Sequence, residues 1–286
     1  MECDITWIEV FAPRPLGGNL LPVLSPADGA DDEVLQAVAT RFRQPETSFV
    51  QIADDDRADY RHRIFTVDRE LPFAGHPSLG TAAAVAAGRG ESRADYVQQT
   101  SSGLQTLEVE LDGDDGVVAI IQNPADFGEE PDVAPLLEAI GLDRSALHPS
   151  LRPRVVSTGL PCLILPVVGV EELSRARPSV PELARLLPSA GLDAVTVYAV
   201  ADAGDHWRAR AFTPVVPIGE DAATGSAAGP FGAYLREHRS ITATVVRQGV
   251  EIGSPSELLL DTSDGIRVSG AVRIVGSGRH EIPGAG

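Results

Sequence analysis

The sequence predicts an α+β protein of two pseudo-symmetric halves, each a bent, mostly antiparallel sheet or open barrel around a central helix. One observation is an internal repeat of a short sequence pattern. Arg63-Ile-Phe-Thr66 leads to a small-residue run that begins at Gly75, and Arg210-Ala-Phe-Thr213 leads to another that begins at Gly225. A second observation is the series of short strand-like segments around both runs. The length of 286 residues also allows two domains of ordinary size.

The first half contains two predicted helices among its strands. Asp31 or Asp32 can cap the first helix, which carries apolar residues on one face as far as Phe42 and stops before Pro45. Alternating or continuous apolar residues predict strands over residues 5–11, 20–24, 47–53, 60–67, 96–99, 104–111 and 116–123.

The second helix of this half is the predicted central one. Pro77 suits the first turn of a helix, where a missing backbone N–H is tolerated, and the helix runs on to Gly88. Its side chains are small and apolar almost all round, so we expect it to be buried on all sides. The order of segments then fits a buried helix wrapped by antiparallel strands.

The second half repeats this plan after an acidic, proline-bearing segment, 124–132, which we interpret as a linker. We therefore place the halves at residues 1–125 and 133–286, with a terminal strand that can cross back to the first half. Helices are predicted over residues 133–140 and 226–237, with helical material around residues 170–187. Strands are predicted over residues 155–158, 163–167, 194–200, 206–213, 242–246, 257–261 and 266–277.

Charge and composition exclude several classes of function. A net charge of −18 argues against a polyanionic partner, so we expect that the protein does not bind nucleic acid. No segment approaches the run of about 20 apolar residues that a membrane helix needs, and the acidic N-terminus is unlike a signal peptide, so we expect a cytoplasmic protein. All 23 basic residues are arginine, which rules out chemistry that needs a lysine, such as Schiff-base formation.

The cysteines and histidines give no metal or cofactor pattern. Cys3 and Cys162 are expected to be buried thiols, without a disulfide framework or a cysteine metal site. The six histidines lack metal-ligand spacing. No G-x-G-x-x-G follows a strand, so nicotinamide and flavin binding lack support.

The two small-residue runs predict two helix entrances that face one shared cleft. A helix N-terminus exposes backbone N–H groups and the positive end of the dipole, so a pair of them can receive a carboxylate. Gly75 and Gly225 would let a ligand approach closely, although glycines there also permit tight packing of a buried helix. Racemases that place one thiol at each entrance are excluded, because Ala74 and Thr224 stand there.

Four side chains near these entrances are candidates for acid or base chemistry: Glu46, His76, Glu220 and Asp221. At a helix start the dipole favours a neutral imidazole for His76, which can also be a local cap. Asp221 can equally cap its own loop through backbone N–H groups. The remaining histidines are expected at the surface or on strands, namely His62, His148, His206, His238 and His280.

Several segments resemble the PhzF family of phenazine-biosynthesis isomerases. They are ETSFV (46–50), RIFT with ELPFAGHPSLGTA (63–82), RAFTP with EDAATGSAAGP (210–230) and QGVEIG (248–253). The resemblance implies the diaminopimelate-epimerase fold. It also places the catalytic glutamate on Glu46, further catalytic roles on His76 and Asp221, and substrate binding on Asn19, Gly75, Gly225 and Ser226.

The implied reaction is a cofactor-free isomerisation of trans-2,3-dihydro-3-hydroxyanthranilate, in which Glu46 moves a proton from C3 to C1 of the ring. The resemblance also implies a homodimer and a small-molecule carboxylate substrate. Ser254 stands where the family commonly has arginine, which bears on substrate identity. Two alternatives stay open: an isomerase or tautomerase of another small amino or hydroxy carboxylate, and a binding protein that lacks the chemistry.

Overall fold

The computed structural model describes residues 1–189, 192, 196–214 and 219–283. The chain divides into two compact units, a first unit of residues 1–121 and 269–286 and a second unit of residues 122–268. The first two residues of the strand predicted over 194–200 lie outside the described residues. Within the described part of the chain, no helix combines the length and apolarity needed to cross a membrane.

The elements follow one another along the chain as strands interrupted by single helices. The strands are β1 (Glu2–Val10), β2 (Asn19–Ser25), β3 (Thr47–Gln51), β4 (Tyr60–Phe65), β5 (Glu70–Leu71), β6 (Arg93–Thr100), β7 (Gly103–Asp112), β8 (Asp115–Gln122), β9 (Asp126–Phe127), β10 (Arg154–Ser157), β11 (Pro161–Pro166), β12 (Thr196–Asp202), β13 (Trp207–Thr213), β14 (Gly219–Asp221), β15 (Ala243–Gln248), β16 (Ser256–Asp261) and β17 (Ile266–Glu281). The α-helices are α1 (Asp32–Phe42), α2 (Gly75–Arg89), α3 (Ala134–Ala139), α4 (Val170–Arg175), α5 (Val180–Ser189) and α6 (Gly225–Arg239).

The first unit is a closed barrel of eight strands, in the order β1, β2, β3, β4, β6, β7, β8 and β17. The pairs β2–β3 and β4–β6 are parallel, whereas β1–β2, β3–β4, β6–β7, β7–β8 and β1–β17 are antiparallel. β17 closes the barrel because it pairs with both β1 and β8. The barrel is thus closed where the sequence predicted a bent sheet or an open barrel.

Helix α2 fills this barrel. Its residues from Gly75 to Ala83 are all buried, and it packs against β1, β2, β3, β4, β6 and β7. A barrel of eight strands has an interior that side chains alone can fill, so only a helix of small residues fits within it. At Gly80, for example, an added Cβ would lie 2.7 Å from Leu21 Cδ2 and 2.9 Å from Val10 Cγ2. Burial ends before the last turns of α2, contrary to the prediction that the whole helix is buried.

Helix α1 lies on the outside of the barrel. Leu35 and Ala39 pack against a cluster that includes Phe49 of β3 and Phe65 of β4. The helix begins after Asp31, whose side chain makes no capping hydrogen bond, contrary to one of the two predicted caps. It ends at Arg43, which adopts a left-handed conformation with φ 57° and turns the chain toward β3.

The second unit packs α6 against strands β10, β11, β15 and β16. Its strand pairs β11–β12 and β13–β15 are parallel, and β10–β11, β12–β13 and β15–β16 are antiparallel. The glycine at position 229 allows α6 to approach Gln122, since an added Cβ would lie 1.9 Å from Gln122 Oε1. Gln122 Nε2 donates to the Gly225 carbonyl at 2.9 Å and so ties down the first turn of α6.

The structure adds detail to two predicted segments of the second unit. The helical material predicted around residues 170–187 forms two helices, α4 and α5, and between them Pro178 disfavours helical backbone at Arg177. Both helices share an apolar cluster with α3, β11 and β12. Inside the segment interpreted as a linker, Asp126 and Phe127 form β9, which pairs with β10.

Candidate active site

Three of the predicted site residues meet at one end of the barrel. β2 and β3 are parallel and therefore begin at the same end, where the antiparallel β4 finishes and the chain passes through β5 into α2. Asn19 is the first residue of β2, Glu46 directly precedes β3, and His76 is the second residue of α2. Strand register and the helix entrance thus bring together residues that are distant along the chain.

The contacts of His76 fix which of its nitrogens carries the proton. Asn19 Nδ2 lies 3.2 Å from His76 Nδ1, and His76 Nε2 lies 3.4 Å from Glu46 Oε2. An amide nitrogen only donates, so Nδ1 accepts and the neutral ring carries its proton on Nε2. This assignment follows from the hydrogen-bond network. The protonated Nε2 is therefore the nitrogen that lies near the Glu46 carboxylate, in a contact that lacks the geometry of a hydrogen bond.

Burial keeps the His76 ring neutral. Burial, with a smaller contribution from the neighbouring His62, lowers the pKa of His76 to about 3. The sequence predicted a neutral ring because of the helix dipole, whereas removal of the ring from water is the larger cause here. At neutral pH the contact is therefore between a neutral ring and a carboxylate, and both side chains are nearly enclosed, at 3% and 13% exposed.

The second group of predicted residues lies at the entrance of α6 in the second unit. Asp221 ends β14, and its Oδ2 accepts a hydrogen bond of 2.7 Å from Thr224 Oγ1. Gln248 Nε2 donates to the Asp221 carbonyl at 2.8 Å and to Thr224 Oγ1 at 2.9 Å. Gly225 and Ser226 follow as the first two residues of the helix. The Asp221 carboxylate therefore accepts from a side-chain hydroxyl within its own turn.

The repeated Arg-x-Phe-Thr motif has the same structural role in both units. Arg63 binds both carboxylate oxygens of Glu70 at 2.7 Å, and Arg210 binds those of Glu220 at 2.8 and 2.7 Å. Each arginine lies over the phenylalanine two residues later in the chain, 5.1 Å from the ring centroid. Each glutamate sits on the short strand that leads to a central helix. Because both of its oxygens are held by Arg210, Glu220 is no longer an acid or base candidate.

The structure also locates the residues left outside the predicted site. Cys3 and Cys162 are buried, and burial raises the pKa of both thiols, as expected for inert cysteines. His62 lies on β4, as one of its two predicted settings allowed, but it is fully enclosed and hydrogen-bonded. The signal that could have found it is strand alternation, which puts His62 on the same face as Ile64 and opposite Arg61 and Arg63.

The barrel around a central helix and the two helix entrances define the class of this protein. It is an α+β protein with the diaminopimelate-epimerase fold, which amino-acid epimerases share. A hydroxyproline epimerase from Agrobacterium vitis superposes with a TM-score of 0.63 over 97% of this chain and 92% of its own, at 13% identity, and so supports the fold alone. A sequence model of the PhzC-PhzF family, described as phenazine biosynthesis-like protein, matches residues 8–284. The chain belongs to this family.

Two relatives from Pseudomonas aeruginosa are more similar. A trans-2,3-dihydro-3-hydroxyanthranilate isomerase is 37% identical over 279 residues, which cover 95% of this chain and 94% of that protein. The solved structure of a predicted epimerase is also 37% identical and superposes with a TM-score of 0.87 over 97% of this chain and 99% of its own.

Proposed function

We propose that this protein is a trans-2,3-dihydro-3-hydroxyanthranilate isomerase, the activity named for its relative from Pseudomonas aeruginosa. The observation that carries the proposal is the contact of 3.4 Å between Glu46 Oε2 and the Nε2 of a neutral His76. It places a nearly enclosed carboxylate beside a neutral imidazole at the entrance of a buried helix. A carboxylate in such a setting is suited to proton transfer.

In the proposed reaction Glu46 acts first as a base and then as an acid. Its carboxylate takes the proton from C3 of the ring while the electron pair moves into the conjugated system. The resulting carboxylic acid returns that proton at C1, so the substrate and product have the same composition. Only 13% of the Glu46 side chain is exposed, which limits exchange of the transferred proton with water. The His76 ring stays neutral throughout, with its Nε2 beside the Glu46 carboxylate.

The substrate-binding residues are assigned by the family resemblance and by their setting. Gly75 and Gly225 begin helices of 15 residues, whose first N–H groups are suited to a carboxylate. Asn19 lies beside the catalytic pair, with its Nδ2 3.2 Å from His76 Nδ1, and the resemblance assigns it to substrate binding. Ser226 is partly exposed and offers a hydroxyl beside the first N–H groups of α6.

The wild-type protein tests the proposal directly. Incubation with trans-2,3-dihydro-3-hydroxyanthranilate in deuterated water should give the isomerised product, with part of the original hydrogen retained at C1 because Glu46 is nearly enclosed. Absorbance follows turnover, and NMR follows the isotope. Binding without turnover would contradict the proposal in favour of a binding protein. Absence of both would favour an isomerase of a different carboxylate, a possibility that Ser254 raises.

Asp221→Ala is expected to weaken substrate binding and turnover together, with a fall in kcat/KM of about tenfold or more, equal to about 1.4 kcal/mol. The reason is loss of a carboxylate that contacts the substrate. Thr224→Val is the matched control, because it removes the hydroxyl bound to Asp221 and leaves the carboxylate in place. If Asp221 serves only its own turn, steady-state kinetics will show equal effects for the two variants, and the predicted catalytic role fails.

A further inference from the structure

A second buried histidine lies inside the barrel of the first unit. His62 Nε2 is 2.8 Å from Ser48 Oγ of β3 and 3.1 Å from Thr81 Oγ1 of α2. His62 Nδ1 is 3.0 Å from Gln98 Oε1 of β6. One imidazole ring therefore joins a helix to two strands of the barrel, in addition to its own strand.

The network defines the protonation of His62. An amide oxygen only accepts, so Nδ1 carries the proton and donates to Gln98, and Nε2 accepts from the hydroxyls of Ser48 and Thr81. Burial lowers the pKa of His62 to about 4, so the ring is neutral at pH 7. His62 and His76 thus hold opposite tautomers, with the proton on Nδ1 in one and on Nε2 in the other.

The same network reaches the entrance of α2. Gln98 Nε2 donates to Ser78 Oγ at 2.8 Å, and Ser78 Oγ donates to the Ala74 carbonyl at 2.8 Å. Ala74 is the residue that caps the N-terminus of α2, two positions before His76. His62 is therefore linked through Gln98 to the backbone that presents His76.

The other branch of the network reaches the start of β3. Ser48 lies on this strand, two residues after Glu46, which directly precedes it. The elements that carry Glu46 and His76 are thus tied to each other by the hydrogen bonds of His62 to Ser48 and Thr81. Ser48 and Thr81 are each 0% exposed, so a broken bond cannot be replaced by bulk water.

We propose that His62 is a positioning residue, which sets the separation of the Glu46 carboxylate and the His76 ring by bridging β3, α2 and β6. The expected change in kcat rests on the proposed function, whereas the expected change in the position of His76 does not. A histidine suits this position because it offers one donor and one acceptor on opposite sides of a rigid ring. An aliphatic residue would leave two hydroxyls and an amide oxygen without partners in an enclosed space.

The experiment compares His62→Leu, which removes both hydrogen-bonding groups, with His62→Gln, whose amide keeps one donor and one acceptor. Tyr60→Phe is the matched control, because Tyr60 is on the same face of the same strand and its hydroxyl makes no hydrogen bond with any described residue. We expect His62→Leu to lower kcat by about 10- to 100-fold, with KM within about twofold, since a displacement of about 1 Å costs rate rather than binding. His62→Gln should recover most of kcat, and Tyr60→Phe should match the wild type.

A second readout needs no substrate. Nitrogen-15 correlation spectra of the ring should show His76 protonated on Nε2 in the wild type and shifted in His62→Leu. If His62→Leu does not fold, Ser48→Ala removes only the link to β3 and should shift the His76 signals and kcat in the same direction. Unchanged His76 signals and kcat in a folded variant would overturn the proposal, as would equal losses in His62→Leu and His62→Gln. A wild type without turnover would defeat the proposed function alone, because the spectra still test the positioning role.

Discussion

Glu46→Gln is expected to lower kcat by about 10²–10⁴-fold, the range typical for loss of a general acid or base, while the dissociation constant for the substrate changes by less than about threefold. Glutamine has nearly the shape of glutamate and fits the same space beside His76, so the site keeps its geometry. What it loses is the ability to take a proton at C3 and return it at C1. Absorbance assays measure turnover, and calorimetry with the unreacted substrate measures binding.

The control for this variant is Glu33→Gln, which removes an exposed carboxylate from the first turn of α1. It should leave both kcat and affinity unchanged, which separates loss of the base from loss of one negative charge. A Glu46→Gln protein that keeps more than a tenth of wild-type kcat would place the base elsewhere. Loss of binding together with turnover would instead make Glu46 a substrate-binding residue.

The helices at the two entrances could be predicted closely from the sequence. Their small, apolar residues indicated burial, and the predicted span of 226–237 compares with Gly225–Arg239 in the structure. The strands β5 and β14 could not be predicted, because two or three residues are too short to show a period of two. Barrel closure by β17 depends on strand pairing between distant parts of the chain, which local patterns do not encode.

The candidate site was predictable only in part for a similar reason. The catalytic role of Glu46 was predicted from the family resemblance, because a glutamate after a helix-ending proline has no distinctive pattern of its own. His62 was expected only at the surface or on a strand, since the histidines show no spacing that singles it out. In the structure the strand is covered on both faces, with α2 on one side and Asp32 and Glu70 bound to Arg63 on the other. Tertiary contacts, and not local hydropathy, therefore determine that this strand is buried.

Loss of the Glu220 carboxylate is expected to be the most destabilising change outside the site, at about 3–5 kcal/mol for Glu220→Ala. The side chain of Arg210 is only 5% exposed, and Glu220 supplies two of its acceptors. Without Glu220 a guanidinium stays buried with the carbonyls of Leu173 and Ala176 as its remaining partners. Urea unfolding measures the change, and Trp207 fluorescence in a Trp7→Phe background reports on the second unit.

Variants that break ion pairs of different exposure test whether burial of the charge causes this loss of stability. Glu110→Ala breaks the pair with Arg93, whose side chains are 77% and 64% exposed, and should cost about 0–1 kcal/mol. Glu70→Ala should be intermediate, because Arg63 keeps Asp32 at 2.6 Å and the Glu70 side chain is 32% exposed.

The double variant Arg210→Met/Glu220→Leu removes both charges at once. It should recover stability relative to Glu220→Ala, since the cost of breaking a buried pair lies mainly in the charge left behind. Equal losses at Glu220 and Glu110 would show that the buried pair contributes no more than a surface one. A double variant no more stable than Glu220→Ala would instead assign the loss to the packing of Arg210 over Phe212 and to its hydrogen bonds with α4. The repeated motif would then act through its arginine alone.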